Sequence, residues 1–325
     1  NERGLLMPHI LIAGKLHPAG LALLQASAGV TFTHVEEISE ASYQDHLAQA
    51  DAMVIRTQPM GAGSIAKAAR LQIVSRHGVG YDAVDVAALN ARNIPLCIVG
   101  DVNSVSVAEH AMMLILACAK QLIRSDRAVR HGPWGWRNKL EQGEISGKRL
   151  LIIGYGRIGR HLARMASGFG MEIRAVDPYL AGIGWPAGDL AAPSGLAEGL
   201  AWADVISVHV PKTGAALIGA AELAVMRQGA ILVNTARGGV VEERALADAL
   251  RAGHIAAVGL DVFDAEPPGP DHPLIGFDEV ILTPHTAGLT QQAAERMAIS
   301  SVQNVLDFFA GRLVADLIVN KDALK

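Results

Sequence analysis

Between Leu150 and Ala166 an apolar stretch runs directly into Gly154-Tyr155-Gly156-Arg157-Ile158-Gly159 and then into a helix-period segment. Strand, spaced glycines and helix in that order belong to a parallel α/β sheet that receives a dinucleotide. Gly154 permits the tight turn, Gly156 lets backbone approach a pyrophosphate, and Gly159 lets the helix pack closely on the strand. Arg157 and Ile158 belong to the loop that leads into the helix Arg160–Ala166, whose N-terminus takes the phosphates. With 34 glycines in 325 residues the spacing alone is weak evidence. Asp177 makes it specific, because it lies 23 residues after Gly154, at the end of the next expected strand. Its carboxylate can accept from both ribose hydroxyls and repels a 2′-phosphate, and Pro178-Tyr179 supplies no replacement cation. NAD, not NADP, is the cofactor expected.

The rest of the chain repeats the α/β alternation. Expected strands in the first hundred residues are 9–13, 30–35, 52–56, 71–75 and 95–99, enough for one flavodoxin-like domain. Ser106-Val107-Ala108-Glu109 has capping-box spacing and opens a run, Ala111 to Ala119, that is apolar on every face and therefore expected to be buried all round. Gly132-Pro133-Trp134-Gly135-Trp136 reads as an ordered loop. Six further strands are expected, at 149–153, 172–177, 204–209, 230–235, 256–261 and 280–283. A last helix, about 290–310, is expected to return to the first domain. The reading is thus two doubly wound parallel-sheet domains, Rossmann-like and flavodoxin-like, with a cleft between them: a discontinuous substrate-binding domain, 7–103 with 291–325, and an NAD-binding domain, 104–290. Residues 1–6 precede Met7 and are set aside as a remnant or alternative start.

Composition narrows the function classes. Net charge is −4 with no basic run, so nucleic-acid binding is not expected. The longest apolar run stops at Lys120, too short to span a membrane. Cys97 and Cys118 have no disulfide or metal-ligand spacing, which points to a reducing cytoplasm and no metal site. A chain that is 50% hydrophobic and 18% charged suggests surface buried between subunits. His17, His34, His46 and His254 lack companion ligands and read as surface or structural residues.

Three segments lie just beyond later strands, where ligands of open α/β sheets bind: Asn234-Thr235-Ala236-Arg237-Gly238-Gly239, Asp261 through Glu266-Pro267, and Thr283-Pro284-His285-Thr286-Ala287-Gly288. Singly, Arg237 could cap a sheet edge, Glu266 could be a solvated carboxylate and His285 a structural histidine. Together they match ketone reduction. Hydride delivery leaves negative charge on oxygen, so a proton donor is needed there, and His285 can supply it. Glu266 would favour imidazolium and fix the ring. Arg237 offers a planar fork for a carboxylate and a carbonyl oxygen.

With Arg76-His77-Gly78-Val79-Gly80-Tyr81-Asp82, Ser106-Val107-Ala108-Glu109-His110 and His209-Val210-Pro211-Lys212-Thr213, these segments make nearly the whole chain resemble the D-isomer-specific 2-hydroxyacid dehydrogenases, in particular their phosphoglycerate dehydrogenase-like branch. The resemblance implies a catalytic triad of Arg237, Glu266 and His285 in a homodimeric oxidoreductase. It implies backbone donation from Val79 and Gly80 to the substrate carboxylate, with Arg56 facing the distal end of the substrate. It implies that Asp261 holds the nicotinamide carboxamide and that His209, Pro211, Thr213, Thr235, Ala236 and Gly288 line the cofactor site. Arg56, Arg76 and His77 together suggest a substrate with a second anionic or polar group; the alternative is that Arg56 and Arg76 form salt bridges with nearby acids such as Asp82 or Asp85. The serine-sensing domain appended to many phosphoglycerate dehydrogenases is not expected. Two rivals remain: an NAD-sensing corepressor, separable by turnover, and a formate dehydrogenase, whose relatives carry glutamine where Glu266 stands.

Overall fold

The computed structural model describes residues 7–324, so residues 1–6 lie outside it. The chain forms two compact units, one from the residues up to Asn103 together with those from Thr290 onward, the other Ser104–Leu289.

The first unit holds five parallel strands: β1 (His9–Ala13), β2 (Thr31–Val35), β3 (Ala52–Ile55), β4 (Ile73–Arg76) and β5 (Leu96–Cys97), in the order β2-β1-β3-β4-β5. Ile10, Leu11, Ile12, Met53, Val54 and Ile55 are fully buried, as strands covered on both faces require. The helix Gln291–Phe309 supplies one cover through Ala298, Val302 and Val305, and the Thr290 side chain caps it by accepting from Ala293 N–H. β5 is shorter than the expected 95–99 because the backbone turns after Cys97, and Ile98 N–H donates to the Leu317 carbonyl instead of continuing the ladder.

The second unit contains seven parallel strands, not six. They are β6 (Arg149–Ile153), β7 (Glu172–Val176), β8 (Ala192–Pro193), β9 (Val205–Val208), β10 (Ala230–Asn234), β11 (Ile255–Leu260) and β12 (Val280–Leu282), ordered β12-β11-β10-β9-β6-β7-β8. The extra strand is two residues long, too short for any period to register, and its proline is tolerated because β8 is an edge. Alternate residues fill two cores. Leu151, Ile153, Ile206, Val208 and Leu232 face one side, while Leu150, Ile152, Val205 and Val233 face the other.

The second of these faces is covered by the helix Ser104–Ala119, which departs from expectation twice. It begins at Ser104, so Ser106 is a buried residue of its first turn and not its cap. Nor is it buried all round, since Val105 and Met113, eight residues apart on one stripe, are 41% and 43% exposed. Gln121 adopts φ +47, and the next helix, Leu122–His131, leaves at 57°. The stretch Gly132–Trp136, expected as an ordered loop, runs into a 3-10 turn, Trp134–Lys139. No single helix among the described residues is long and apolar enough to cross a membrane.

Candidate active site

Strand order reverses between β6 and β9, so the loops after these two strands diverge and leave room at their carboxyl ends. The glycine loop follows β6. Gly154 has φ +95, and a Cβ there would lie 2.5 Å from the carbonyl oxygen of His209, which follows β9. No other residue fits both conditions. A Cβ on Gly159 would meet the Gly154 carbonyl at 2.4 Å, whereas one on Gly156 would meet nothing within 4 Å. The helix Arg157–Gly168 starts behind Gly156 with no side-chain cap, leaving its first N–H groups to be met by something other than a side chain.

Asp177 is more committed than the sequence suggests. Its Oδ2 accepts from Tyr155 N–H at 2.9 Å, and its Oδ1 accepts from Tyr179 and Leu180 N–H at 3.0 and 3.2 Å, capping the helix Pro178–Ile183. These bonds fix the carboxylate beside the glycine loop and take three of its four lone-pair sites, leaving one on Oδ2. Two buried polar atoms nearby lack a hydrogen-bond partner among the described residues: His209 Nδ1 and Thr235 Oγ1. His209 Nε2 is 2.9 Å from Ser207 Oγ, and burial pushes the ring down to about 4, so it is neutral at pH 7. An open cradle at Gly156, an oriented carboxylate and unmatched polar atoms fit a dinucleotide with its ribose and amide groups. Pro211 and Thr213 lie on an exposed stretch after β9.

The triad residues sit on three successive loops. Arg237 follows β10, on a turn folded by the buried side chain of Asn234, which accepts from Ala236 N–H and donates to the Arg237 carbonyl, both at 2.9 Å. Arg237 itself is half-buried, and one guanidinium N–H donates to the Ala236 carbonyl at 2.6 Å. A Cβ on Gly238 would stand 1.8 Å from the Phe263 carbonyl, so this turn rests directly on the loop after β11. That loop carries Glu266. Its Oε1 accepts from Phe263 N–H at 3.0 Å, while Oε2 lies 2.7 Å from Nδ1 of His285 on the loop after β12. Glu243 steadies the same loop by accepting from Asp264 N–H at 2.9 Å. His285 is exposed and has φ +53, a conformation that costs a non-glycine residue about 1 kcal/mol or more.

Asp261, at the end of β11, is fully buried. Its Oδ1 accepts from the Thr283 hydroxyl at 2.6 Å and Thr286 N–H at 2.8 Å, and its Oδ2 from Ala287 N–H at 2.8 Å. The partner that a buried carboxylate requires is therefore the turn that carries His285 and leads to Gly288. Asn234, Glu243 and Thr283 were passed over in the sequence. A buried-strand asparagine and a threonine opening a turn are the only signals they give.

Arg56, Val79 and Gly80 belong to the first unit. Arg56 follows β3 and is half-buried, and Val79 and Gly80 follow the buried His77. Burial, then the charges of Arg56 and Arg76, push His77 down to about 4, and one Arg76 N–H donates to the His77 carbonyl at 2.6 Å. Asp85, one of the acids weighed as a partner, caps the helix Val86–Ala91, while Arg76 and Asp82 are both engaged.

Residues 112–287 match the family model described as D-isomer specific 2-hydroxyacid dehydrogenase, NAD binding domain. The chain belongs to that family. It is 39% identical over 320 residues to the D-3-phosphoglycerate dehydrogenase of Mycobacterium leprae, covering 96% of this chain and 59% of that protein. Against the glyoxylate reductase of Aeropyrum pernix it is 34% identical, covering 98% of this chain and 97% of the relative. A solved Thermus thermophilus structure superimposes with TM-score 0.86 at 31% identity, covering 94% of this chain and 98% of that one. The chain thus spans about three-fifths of the phosphoglycerate dehydrogenase it matches, and nearly all of the reductase.

Proposed function

We propose that this member of the family is an NAD-dependent D-2-hydroxyacid dehydrogenase, interconverting a small 2-oxo acid and its D-2-hydroxy acid. The observation that carries the reading is the 2.7 Å contact between His285 Nδ1 and Glu266 Oε2, held on loops adjoining the one that carries Arg237.

In the reduction direction His285 is the general acid. Nδ1 is committed to Glu266, so Nε2 is the nitrogen that gives its proton to the carbonyl oxygen. Glu266 holds the ring and stabilises its protonated form. Arg237 takes the substrate carboxylate and polarises the carbonyl, with Val79 and Gly80 N–H groups as further carboxylate donors and Arg56 toward the distal end. Gly154, Gly156, Arg157, Ile158 and Gly159 receive the pyrophosphate, Asp177 the ribose, and His209, Pro211, Thr213, Thr235, Ala236, Asp261 and Gly288 the nicotinamide half. Bound NADH supplies the hydride, and NAD takes it back in the reverse direction. The first unit is the substrate-binding domain in this reading and the second the NAD-binding domain.

The finer assignments are part of the same proposal. The substrate is of the 3-phosphoglycerate, hydroxypyruvate or glyoxylate type, the protein is a cytoplasmic homodimer, and neither nucleic acid nor membrane is a partner. Two buried free thiols, Cys97 and Cys118, support a reducing compartment. The test is His285→Ala: kcat for 2-oxo acid reduction should fall about 10²–10⁴-fold with NADH affinity nearly unchanged. Turnover near wild type would remove His285 from the mechanism.

A further inference from the structure

His110 has no part in the mechanism above, although the sequence sets it in a motif with Ser106 and Glu109. It lies on the helix Ser104–Ala119, and its side chain is 15% exposed. Its Nε2 is 2.9 Å from Thr283 Oγ1, which in turn is 2.6 Å from Asp261 Oδ1. The Thr283 hydroxyl has one hydrogen, and the buried carboxylate at 2.6 Å takes it. The remaining bond can then form only if His110 Nε2 carries a hydrogen and donates to Thr283. The order His110 N–H, Thr283 O–H, Asp261 carboxylate is thereby fixed.

The far end of this chain bears directly on His285. Asp261 also accepts from the N–H groups of Thr286 and Ala287, the two residues that follow His285, and Thr283 lies two residues before it. His285 N–H donates to the Thr283 carbonyl at 3.0 Å. The left-handed φ of His285 is thus held by a turn clamped on both sides. Aligning its imidazole with Glu266 depends on that clamp.

We infer that His110 is a positioning residue for His285, acting through the Thr283 hydroxyl and the Asp261 carboxylate. The inference rests on the reading of His285 as the general acid. His110 Nε2 also lies 3.6 Å from Asp261 Oδ1, behind the Thr283 hydroxyl that bridges them. It orients the threonine hydroxyl, which satisfies Asp261, and Asp261 sets the turn. Because the helix Ser104–Ala119 packs into the sheet core through Ala108, Ala111, Leu114 and Ile115, the clamp is anchored on a rigid element rather than on another loop.

The test compares His110→Ala, His110→Gln, Thr283→Val and the His110→Ala/Thr283→Val double variant with His285→Ala, each measured for kcat, substrate KM and NADH dissociation constant by nucleotide fluorescence. His110→Ala and Thr283→Val should each lower kcat by about 10- to 100-fold, the scale of a sub-ångström to ångström misplacement of a reacting group. NADH affinity should fall by a smaller factor than kcat, because the glycine loop and Asp177 are untouched and only Asp261, on the nicotinamide half, is perturbed. Glutamine can donate from nearly the position of Nε2, so His110→Gln should recover kcat to within about threefold of wild type. The double variant should be no worse than the more damaged single one, as expected for members of a single chain of bonds. Wild-type kcat in His110→Ala, no recovery by glutamine, or additive losses in the double variant would each overturn the positioning role. If His285→Ala is inactive while His110→Ala is normal, only this inference falls. If His285→Ala keeps wild-type turnover, both readings fall.

Discussion

In the proposed reading Asp177 sets cofactor choice at the residue scale, and its three N–H partners fix its charge beside the glycine loop, where it would repel a 2′-phosphate. NADH should therefore be preferred to NADPH, and Asp177→Ala should narrow the ratio of their kcat/KM values. Equal kcat/KM in the wild type would contradict this. His77 yields a prediction about pH. Burial and two neighbouring arginines lower it to about 4, whereas the unfolded chain titrates near about 6.5. Between those values the unfolded state binds a proton that the folded state refuses, so stability must fall as pH drops through this window, by on the order of 1 kcal/mol per pH unit. His209 acts with the same sign. Urea unfolding at pH 7 and pH 5 measures the loss, and His77→Asn should shrink it; an unchanged difference would place its origin elsewhere. In the proposed reading Arg56 faces the distal end of the substrate and favours a second anionic group there. Arg56→Ala should cost about 1–3 kcal/mol in kcat/KM for phosphohydroxypyruvate or a dicarboxylic 2-oxo acid and little for pyruvate. Equal losses on every substrate would make Arg56 structural.

Among the elements, two glycines separate folding from binding. Gly238→Ala would force a methyl against the Phe263 carbonyl and displace the loop that holds Glu266, so both the melting temperature and kcat should fall. Gly156→Ala meets no protein atom, so the melting temperature should hold while the NADH dissociation constant rises. Thermal unfolding and fluorescence titration distinguish the two, and the opposite pattern would refute the glycine assignments. This contrast also marks what the sequence reveals. The role of Gly156 is readable because strand, loop, helix and Asp177 occur in order along the chain. The role of Gly238 is not, because it comes from a carbonyl 25 residues away in sequence on a neighbouring loop. The central strands were legible from continuous apolar runs. β8 was missed because two residues carry no period, and the start of the helix at Ser104 was missed because the Ser-x-x-Glu spacing falls inside the helix, at Ser106. The Glu266–His285 pair was readable as residue types, but the asparagine, threonine and aspartate that aim its loops act through buried hydrogen bonds that leave no spacing signal.

For the whole molecule, the second unit leaves a large apolar surface in the single chain. Leu122, Val129, Trp134 and Leu140 are 52%, 66%, 64% and 86% exposed, and the last three help line a hollow of about 380 Å³. Val105 and Met113 add two further exposed apolar side chains on the preceding helix. A homodimer burying more than about 2,000 Å² is expected, and light scattering at micromolar concentration should return twice the chain mass. A monomer would refute it. The central claim concerns chemistry, and an initial-rate panel of 2-oxo acids with NADH and with NADPH, with product configuration assigned by chiral chromatography, tests it most directly. The account predicts NADH-dependent reduction of at least one small 2-oxo acid to its D-2-hydroxy acid, with NADPH the poorer donor. NADH binding without turnover of any 2-oxo acid, or an L product, would contradict it.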